Sequence, residues 1–418
     1  MKFLHAADLH LDSPLRGLSR YEGAPVARIR GASRRALSNL VDLCLAEQVQ
    51  LLLLAGDLFD GDWRDYSTGL FFAAQLSRLR EAQVRVVMIR GNHDAESQIS
   101  RSLRLPPHVT ELSTAHPETC LLGDLGVAVH GQGFATRIVS EDLAAGYPQP
   151  VADCFNIGLL HTAVGGRPGH EPYAPCTVDG LRSKGYGYWA LGHVHTREVL
   201  SVDPPILFPG NLQGRHIREV GPKGATLVEV VDGRVARIEH RTLDVVRFAL
   251  TELSLAGLSH RDDALEIARE RLGREVAAAD GRLLCTRIRL VGRCEVHAQL
   301  HREHDRLVAD LRSLANDFAG DLWVEKIQLA TEPPTSAAEL QLREDALGQV
   351  LQAIASTQAD PSELVSLADT LTELKQKLPV ELREGADGVR PDDPDYIREV
   401  LDEVREMLLV RLQAVDSA

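Results

Sequence analysis

The stretch 51-LLLLAGDLFD-60 sets the reading of the whole chain. LLLLA is apolar at every position, as a strand buried on both faces requires. A glycine and a carboxylate, Gly56 and Asp57, follow it directly. The same phrase recurs four times. FLHAA runs into Asp8-Leu9-His10, VVMIR into Gly91-Asn92-His93-Asp94, IGLL into His161-Thr162, and WAL into Gly192-His193-Val194-His195. The carboxyl ends of strands are where an α/β sheet presents its ligand site. Five elements thus aim Asp, Asn and His groups at one edge.

These residue types at these spacings point to a two-metal site. Asp8 and His10 are two apart, which puts both on one face at a strand end. His193 and His195 share that spacing, and their rings can serve one ion or two. Asp57 is a carboxylate able to bridge cations, and Asn92 adds a neutral oxygen. A lone His after a strand, or a lone GD or GN, is ordinarily a satisfied polar group or a turn. Five such pieces, each behind an apolar run, are not explained that way.

Outward from these motifs the pattern is α/β. Strands are expected at 2–7, 51–55 and 84–90, with helices at 26–49 and 68–82 between them. That βαβαβ opening favours parallel strands covered by helices. Beyond residue 108, short strands are expected at 109–112, 119–122, 126–130, 156–160, 186–191, 197–200, 205–208, 225–231 and 234–241. Two sheets in a sandwich fit better than a doubly wound sheet. Residues 245–330 read as a small α/β unit, with strands at 245–254, 283–291 and 322–330 and helices at 261–278 and 297–315. After the prolines of TEPPT at 331–335, helical pattern dominates at 336–356, 361–378 and 394–414. An acidic turn is expected at 384–395. The last helix has an apolar face of Tyr396, Ile397, Val400, Leu401, Val404, Met407, Leu408 and Leu412.

The 418 residues carry 46 Lys+Arg against 60 Asp+Glu, a net charge of -14. Residues 331–418 hold 8 basic and 19 acidic side chains, a net of -11. The balance excludes a generally basic nucleic-acid coat, but not an enzyme with a local basic groove. No run reaches the roughly 20 apolar residues of a membrane span. The opening residues lack a signal-peptide core. The six cysteines contain no CxxC pair and read as reduced thiols of a cytoplasmic protein.

The set DxH, GDxxD, GNHD, H and GHxH resembles the calcineurin-like metallophosphoesterases. Within them the set looks most like the bacterial DNA-repair nuclease branch of the SbcD and YhaO families, and FLHAADLHLDSPL at 3–15, GDLFDGDW at 56–63 and PGNLQGRHIREVGPKG at 209–224 are similar to the YhaO family in particular. The resemblance implies a four-layer α-β-β-α catalytic domain at 1–244. It implies a small α/β capping domain at 245–330 and an acidic helical region at 331–418 that docks a partner. Asp8, His10 and His195 would hold one ion, and Asn92, His161 and His193 the other, with Asp57 bridging. His93 would stabilise the transition state and act as general acid, oriented by Asp94 through a carboxylate–imidazole contact. The two divalent ions, Mn2+ in most members, would clamp a phosphodiester and supply hydroxide for in-line attack.

The implied function is a DNA exonuclease subunit in repair, partnered by DNA and an SMC-like coiled-coil ATPase. Nuclease relatives often dimerise. Competing readings are a small-molecule phosphodiesterase or phosphatase, and a regulatory subunit active only with the ATPase.

The sequence departs from archaeal and eukaryotic relatives at Asp60, where they commonly carry histidine. A direct phosphate contact by a carboxylate there competes with a role as hydrogen-bond acceptor or helix cap. Asp12 reads as a turn or cap and His130 as structural. The loop with Asn211, Arg215 and His216 fits two readings, a substrate-phosphate contact and a turn closing the second sheet. Arg16, Arg20, Arg28, Arg30, Arg34 and Arg35 form a basic cluster, either a solvated helix face or a DNA track.

Overall fold

The computed structural model describes residues 1–13, 15, 23–60, 66–97, 103–165, 173–334, 346–379, 382 and 388–416. Contacts divide the chain into two compact units. One comprises Met1–Leu15, Pro25–Arg215 and Glu219–Arg247; the other includes His216–Arg218 and the chain from Phe248 on.

Among its described residues the first unit holds the strands β1 (Lys2–Ala6), β2 (Leu51–Ala55), β3 (Arg85–Ile89), β4 (Val109–Glu111), β5 (Glu118–Leu122), β6 (Val127–Gly131), β7 (Phe155–His161), β8 (Tyr188–Gly192), β9 (Glu198–Val202), β10 (Pro205–Phe208), β11 (Gly224–Val231) and β12 (Arg234–Thr242). Its helices are α1 (Val26–Arg30), α2 (Ala32–Ala46), α3 (Tyr66–Glu81), α4 (Asn92–Glu96) and α5 (Val178–Ser183). One sheet runs β12-β11-β1-β2-β3-β4, the other β5-β6-β7-β8-β10-β9. β1 to β4 are parallel neighbours, as are β6, β7, β8 and β10. The outer strands pair antiparallel.

The alternation within LLLLA explains the layering. Leu52 and Leu54 face one way and join Leu37, Leu40, Val41, Phe72 and Leu76 of α2 and α3. Leu51, Leu53 and Ala55 face the other and pack between the sheets with Val129, Ile157, Leu159, Tyr188 and Leu207. The far face of the second sheet (Leu160, Trp189, Leu191, Phe208) is covered by Leu181 of α5 and Ala144 of a 3-10 turn. Each fully buried leucine contributes about 1.5–3 kcal/mol relative to exposure. A strand apolar on both sides has no other stable place than between two layers. The result is the expected mixed α/β sandwich with helices on its outer faces.

A three-stranded sheet follows, β13 (Val246–Ser254, in the second unit from Phe248 on), β14 (Leu283–Arg293) and β15 (Leu322–Glu332), with β14 and β15 parallel. Helices α6 (Arg261–Ala278), α7 (His297–Arg302) and α8 (His304–Ser313) cover a core that includes Leu272, Ile288, Leu290, Leu311 and Val324. The helix expected at 297–315 breaks at Glu303 (φ -100°, ψ 26°) and tightens to a 3-10 turn at Leu314–Phe318. Helices α9 (Ala346–Ala359), α10 (Pro361–Lys377) and α11 (Pro394–Asp416) follow. Leu364, Ala368 and Ile397 are buried between α10 and α11. Part of the expected helix at 336–356 and of the acidic turn at 384–395 lies outside the described residues. No helix among the described residues is long and apolar enough to cross a membrane. None of the six cysteines is in a disulfide.

Candidate metal centre

Adjacent parallel strands end level, so the segments beyond them meet. Ala6 of β1 pairs with Leu54 of β2, Ala55 of β2 with Ile89 of β3, and His161 of β7 with Gly192 of β8. The chain must then leave each sheet sharply. Asp8 (φ 51°), His10 (φ 42°), Asp57 (φ 52°) and His193 (φ 104°) all adopt the left-handed region. Such conformations cost of order 1–3 kcal/mol each and cluster at functional sites. Gly192 shows how close the two sheets come: a Cβ there would lie 1.9 Å from the Ala55 carbonyl oxygen.

Among the described residues three groups of ligand-type side chains have their donor atoms within 4.8 Å of one another; two of them, Asp8–His10–His195 and Asp57–His161–His193, consist of expected ligands, and the third is His10–Asp60–His93. In the first, His10 Nε2 lies 3.2 Å from His195 Nε2. His195 Nε2 lies 3.9 Å from Asp8 Oδ1. In the second, His161 Nε2 is 2.9 Å from Asn92 Oδ1. One oxygen of Asp57, Oδ2, is 3.8 Å from His10 Nε2 and 3.5 Å from His161 Nε2. Asp57 therefore stands between the two groups.

Hydrogen bonds on the far sides of the rings decide which nitrogen faces inward. His161 Nδ1 donates to the Ala55 carbonyl at 2.9 Å. His10 Nδ1 donates to Asp60 Oδ1 at 2.6 Å, and His195 Nδ1 to Glu219 Oε1 at 2.7 Å. Arg215 Nη2 also lies 3.2 Å from His195 Nδ1, but the carboxylate is nearer and can only accept, so Nδ1 carries the proton. All three imidazoles thus turn an Nε2 lone pair into the site, as a cation's ligands must. Burial pushes His10 down to about 4, aided by the charge of Arg215 and opposed by Asp60. Burial also lowers His161, so both rings are neutral near pH 7.

The carboxylates need positive charge. Burial and the neighbouring charge of Asp57 push Asp8 well above the usual carboxylate range. For Asp57 burial acts upward too, but His161, His10 and His93 outweigh it and bring the group down to about 2. Two cations would relieve this crowding of buried acids. Inward lone pairs and buried oxygens together fit a pair of divalent ions.

The structure corrects the role expected for Asp94. Its carboxylate is buried and does not orient His93. Instead it accepts from the backbone N–H groups of Leu58 (3.0 Å), Phe59 (3.0 Å) and Gly91 (3.0 Å). It splints the loop that carries Asp57, because three unpaired N–H donors face that position. The acid beside the His93 ring is Asp60, with Oδ1 3.3 Å from Nδ1. Burial acts to raise Asp60, but His10, Arg215 and a Ser13 hydrogen bond hold it far below the usual range.

Other candidates sort as follows. Asp12 is clamped by Arg34 and Thr68, so Arg34 of the basic cluster is engaged in an ion pair. Arg16 and Arg20 lie outside the described residues. His130 is buried, bonded to Thr119 and Asn156 and stacked on Tyr186. Arg215 does reach the site, its Nη1 3.7 Å from Asp60 and its Nη2 2.9 Å from Glu219. His216 is exposed, belongs to the other compact unit and accepts from the Arg218 N–H at 3.3 Å. Glu219 was not anticipated. No strand precedes it, and only folding brings it to His195.

Residues 1–197 match the calcineurin-like phosphoesterase family. They form a calcineurin-like phosphoesterase domain. All seven candidate ligands of this phosphoesterase domain fall within that match. Residues 248–332 match the middle domain of the metallophosphoesterase YhaO. Among similar curated proteins, the uncharacterized metallophosphoesterase YhaO of Bacillus subtilis is 40% identical over 250 residues, 59% of this chain and 61% of that one. The DNA double-strand break repair protein Mre11 of Methanopyrus kandleri is 30% identical, covering 56% of this chain and 52% of that one. A component of the nuclease SbcCD of Rhodobacter capsulatus is 35% identical over 24% of this chain and 23% of its own length. The matches thus span about a quarter to three fifths of these relatives.

Proposed function

We propose that the chain is a metal-dependent phosphodiester hydrolase acting on DNA, the exonuclease subunit of a repair complex. The observation that carries this reading is the position of Asp57 Oδ2, between His10 Nε2 at 3.8 Å and His161 Nε2 at 3.5 Å. Asp8, His10 and His195 would hold one ion, and Asn92, His161 and His193 the other. Bound there, two divalent cations, Mn2+ in this reading, supply Lewis-acid charge to phosphate oxygens and make water nucleophilic at neutral pH.

The rest is done by side chains. His93 has 38% of its side chain exposed, so it is open to substrate while its backbone N–H donates to Asp57 Oδ1 at 2.9 Å. It is placed to donate a proton to the departing sugar oxygen. Asp60, a carboxylate with Oδ1 3.3 Å from His93 Nδ1, would steady the ring in its protonated form. Asp94 keeps Asp57 and Gly91 in register through its three backbone bonds.

DNA as substrate rests on the roles of the relatives, a nuclease component and double-strand break repair proteins. We assign residues 1–244 to catalysis, 245–330 to a cap that restricts DNA access, and 331–418 to docking a coiled-coil ATPase. The test is incubation of the purified chain with Mn2+ and end-labelled duplex DNA. Cleavage that needs Mn2+ and disappears in Asp57→Ala is expected. Cleavage unaffected by Asp57→Ala, or none even with the ATPase present, rejects the nuclease assignment.

A further inference from the structure

Glu219, Lys223 and Asn211, all between β10 and β11, bond His195. Glu219 Oε1 takes the Nδ1 proton of the ring at 2.7 Å. Two groups bond the His195 carbonyl oxygen: the Lys223 ammonium at 2.8 Å and the Asn211 backbone N–H at 3.2 Å. Glu219 is itself held from several directions. Oε2 accepts the Arg215 backbone N–H at 2.7 Å and the Asn211 side-chain amide at 3.0 Å, and Oε1 accepts Arg215 Nη2 at 2.9 Å. Its side chain is 7% exposed. A buried carboxylate with both oxygens saturated has one position, and so has the ring bonded to it.

His195 needs such support. Its own side chain is 27% exposed, against 1% for His10 and 0% for His161. Those two rings are enclosed by the fold as well as hydrogen-bonded, to Asp60 and to the Ala55 carbonyl, whereas His195 is partly open to solvent. Arg215 is accounted for by the same arrangement. It lies between Glu219 and Asp60, the acids behind His195 and His10, and neutralises both.

We infer that Glu219, locked by Arg215 and Asn211, is the positioning residue for His195, so that occupancy of the Asp8–His10–His195 ion site depends on it. Arg215 is then a clamp on the two supporting carboxylates and not a contact for substrate phosphate. The inference deepens the two-ion reading and rests on it for its consequence, though the Glu219–His195 contact itself does not require an ion.

The test uses the full chain labelled with 15N-histidine, first without metal and then titrated calorimetrically with Mn2+. In wild type, the His195 imidazole, assigned by its loss in His195→Gln, carries its proton on Nδ1, and two ions bind. In Glu219→Ala that signature is lost while those of His10 and His161 persist. One of the two Mn2+ sites weakens by about 10–100-fold, the usual effect of removing a group behind a ligand. Glu219→Gln, which keeps an accepting oxygen, restores most of both. Arg215→Ala weakens the same site and no other. An unchanged His195 signature in Glu219→Ala overturns the inference, as does unchanged affinity at both sites. If wild type binds fewer than two ions while Glu219→Ala still releases the ring, the two-ion reading fails and the positioning of His195 stands.

Discussion

Asp94 does not take the part that motif reading gives it, while Asp60 takes one of the two parts open to it, that of a hydrogen-bond acceptor. In the sequence Asp94 adjoins His93, and adjacency invites an orienting role. In the fold its side chain turns away to three backbone donors, and Asp60, 33 positions before His93, lies beside the ring. Sequence spacing reports which residues come after a strand; it does not report where a side chain turns once past it. Asp94→Ala should therefore act on stability. It leaves buried N–H groups without an acceptor, and denaturant unfolding should show a loss of roughly 3 kcal/mol or more. An unchanged midpoint would contradict the splint. His5, which is not among the candidate ligands, supplies a second prediction. It is buried between the sheets, bonded to the Tyr188 hydroxyl and the Leu191 carbonyl, each at 3.0 Å. Burial pushes it down to about 3, against the smaller upward pull of the Leu191 carbonyl. The unfolded chain takes a proton near pH 6.5, whereas the fold resists until about pH 3. Stability is thus full above pH 6.5 and falls below it, by about 1.4 kcal/mol per pH unit. Between pH 7 and pH 5 the wild type should lose about 2 kcal/mol more than His5→Gln. Equal losses would show that His5 protonates in the fold.

At the scale of elements, most strands and helices were legible because each apolar run has the period of the structure it forms. LLLLA could only be a buried strand, and it is. The break at Glu303 was not, since no proline or glycine marks it and apolar residues continue on both sides. The meeting of the two sheets was not legible either. Gly192 and Ala55 are 137 positions apart, and nothing local announces that a methyl group at one would strike the carbonyl of the other at 1.9 Å. Gly192→Ala should force β8 away from β2 and with it His193 and His195. A fall in melting temperature together with weakened Mn2+ binding is expected. Gly123→Ala is the control, because a Cβ there meets nothing within 4 Å. It should change stability by no more than about 0.5 kcal/mol. Equal behaviour of the two variants would refute the close approach.

The whole molecule separates its chemistry from its charge. The candidate ligands all lie in the first unit, and the excess acidity lies in residues 331–418, at a net -11. The charge profile was legible from composition, and so was the existence of a second core beyond residue 247. Each unit buries its own apolar cluster. Calorimetric unfolding should accordingly resolve two transitions, and Mn2+ should raise only one. Binding at 100 times the dissociation constant stabilises the liganded unit by about 2.7 kcal/mol. A single transition that moves as a whole would mean that the units unfold together.

The central claim is that two cations held around Asp57 hydrolyse phosphodiesters. Its most direct test is turnover of bis(p-nitrophenyl) phosphate as Mn2+ is titrated into metal-free protein, for wild type and Asp57→Asn side by side. The account predicts that wild-type activity rises to a plateau at two ions per chain, and that Asp57→Asn is at least ~1000-fold slower, a loss of about 4 kcal/mol in the barrier. Equal turnover in the two proteins, or wild-type turnover in the presence of a chelator, would contradict it.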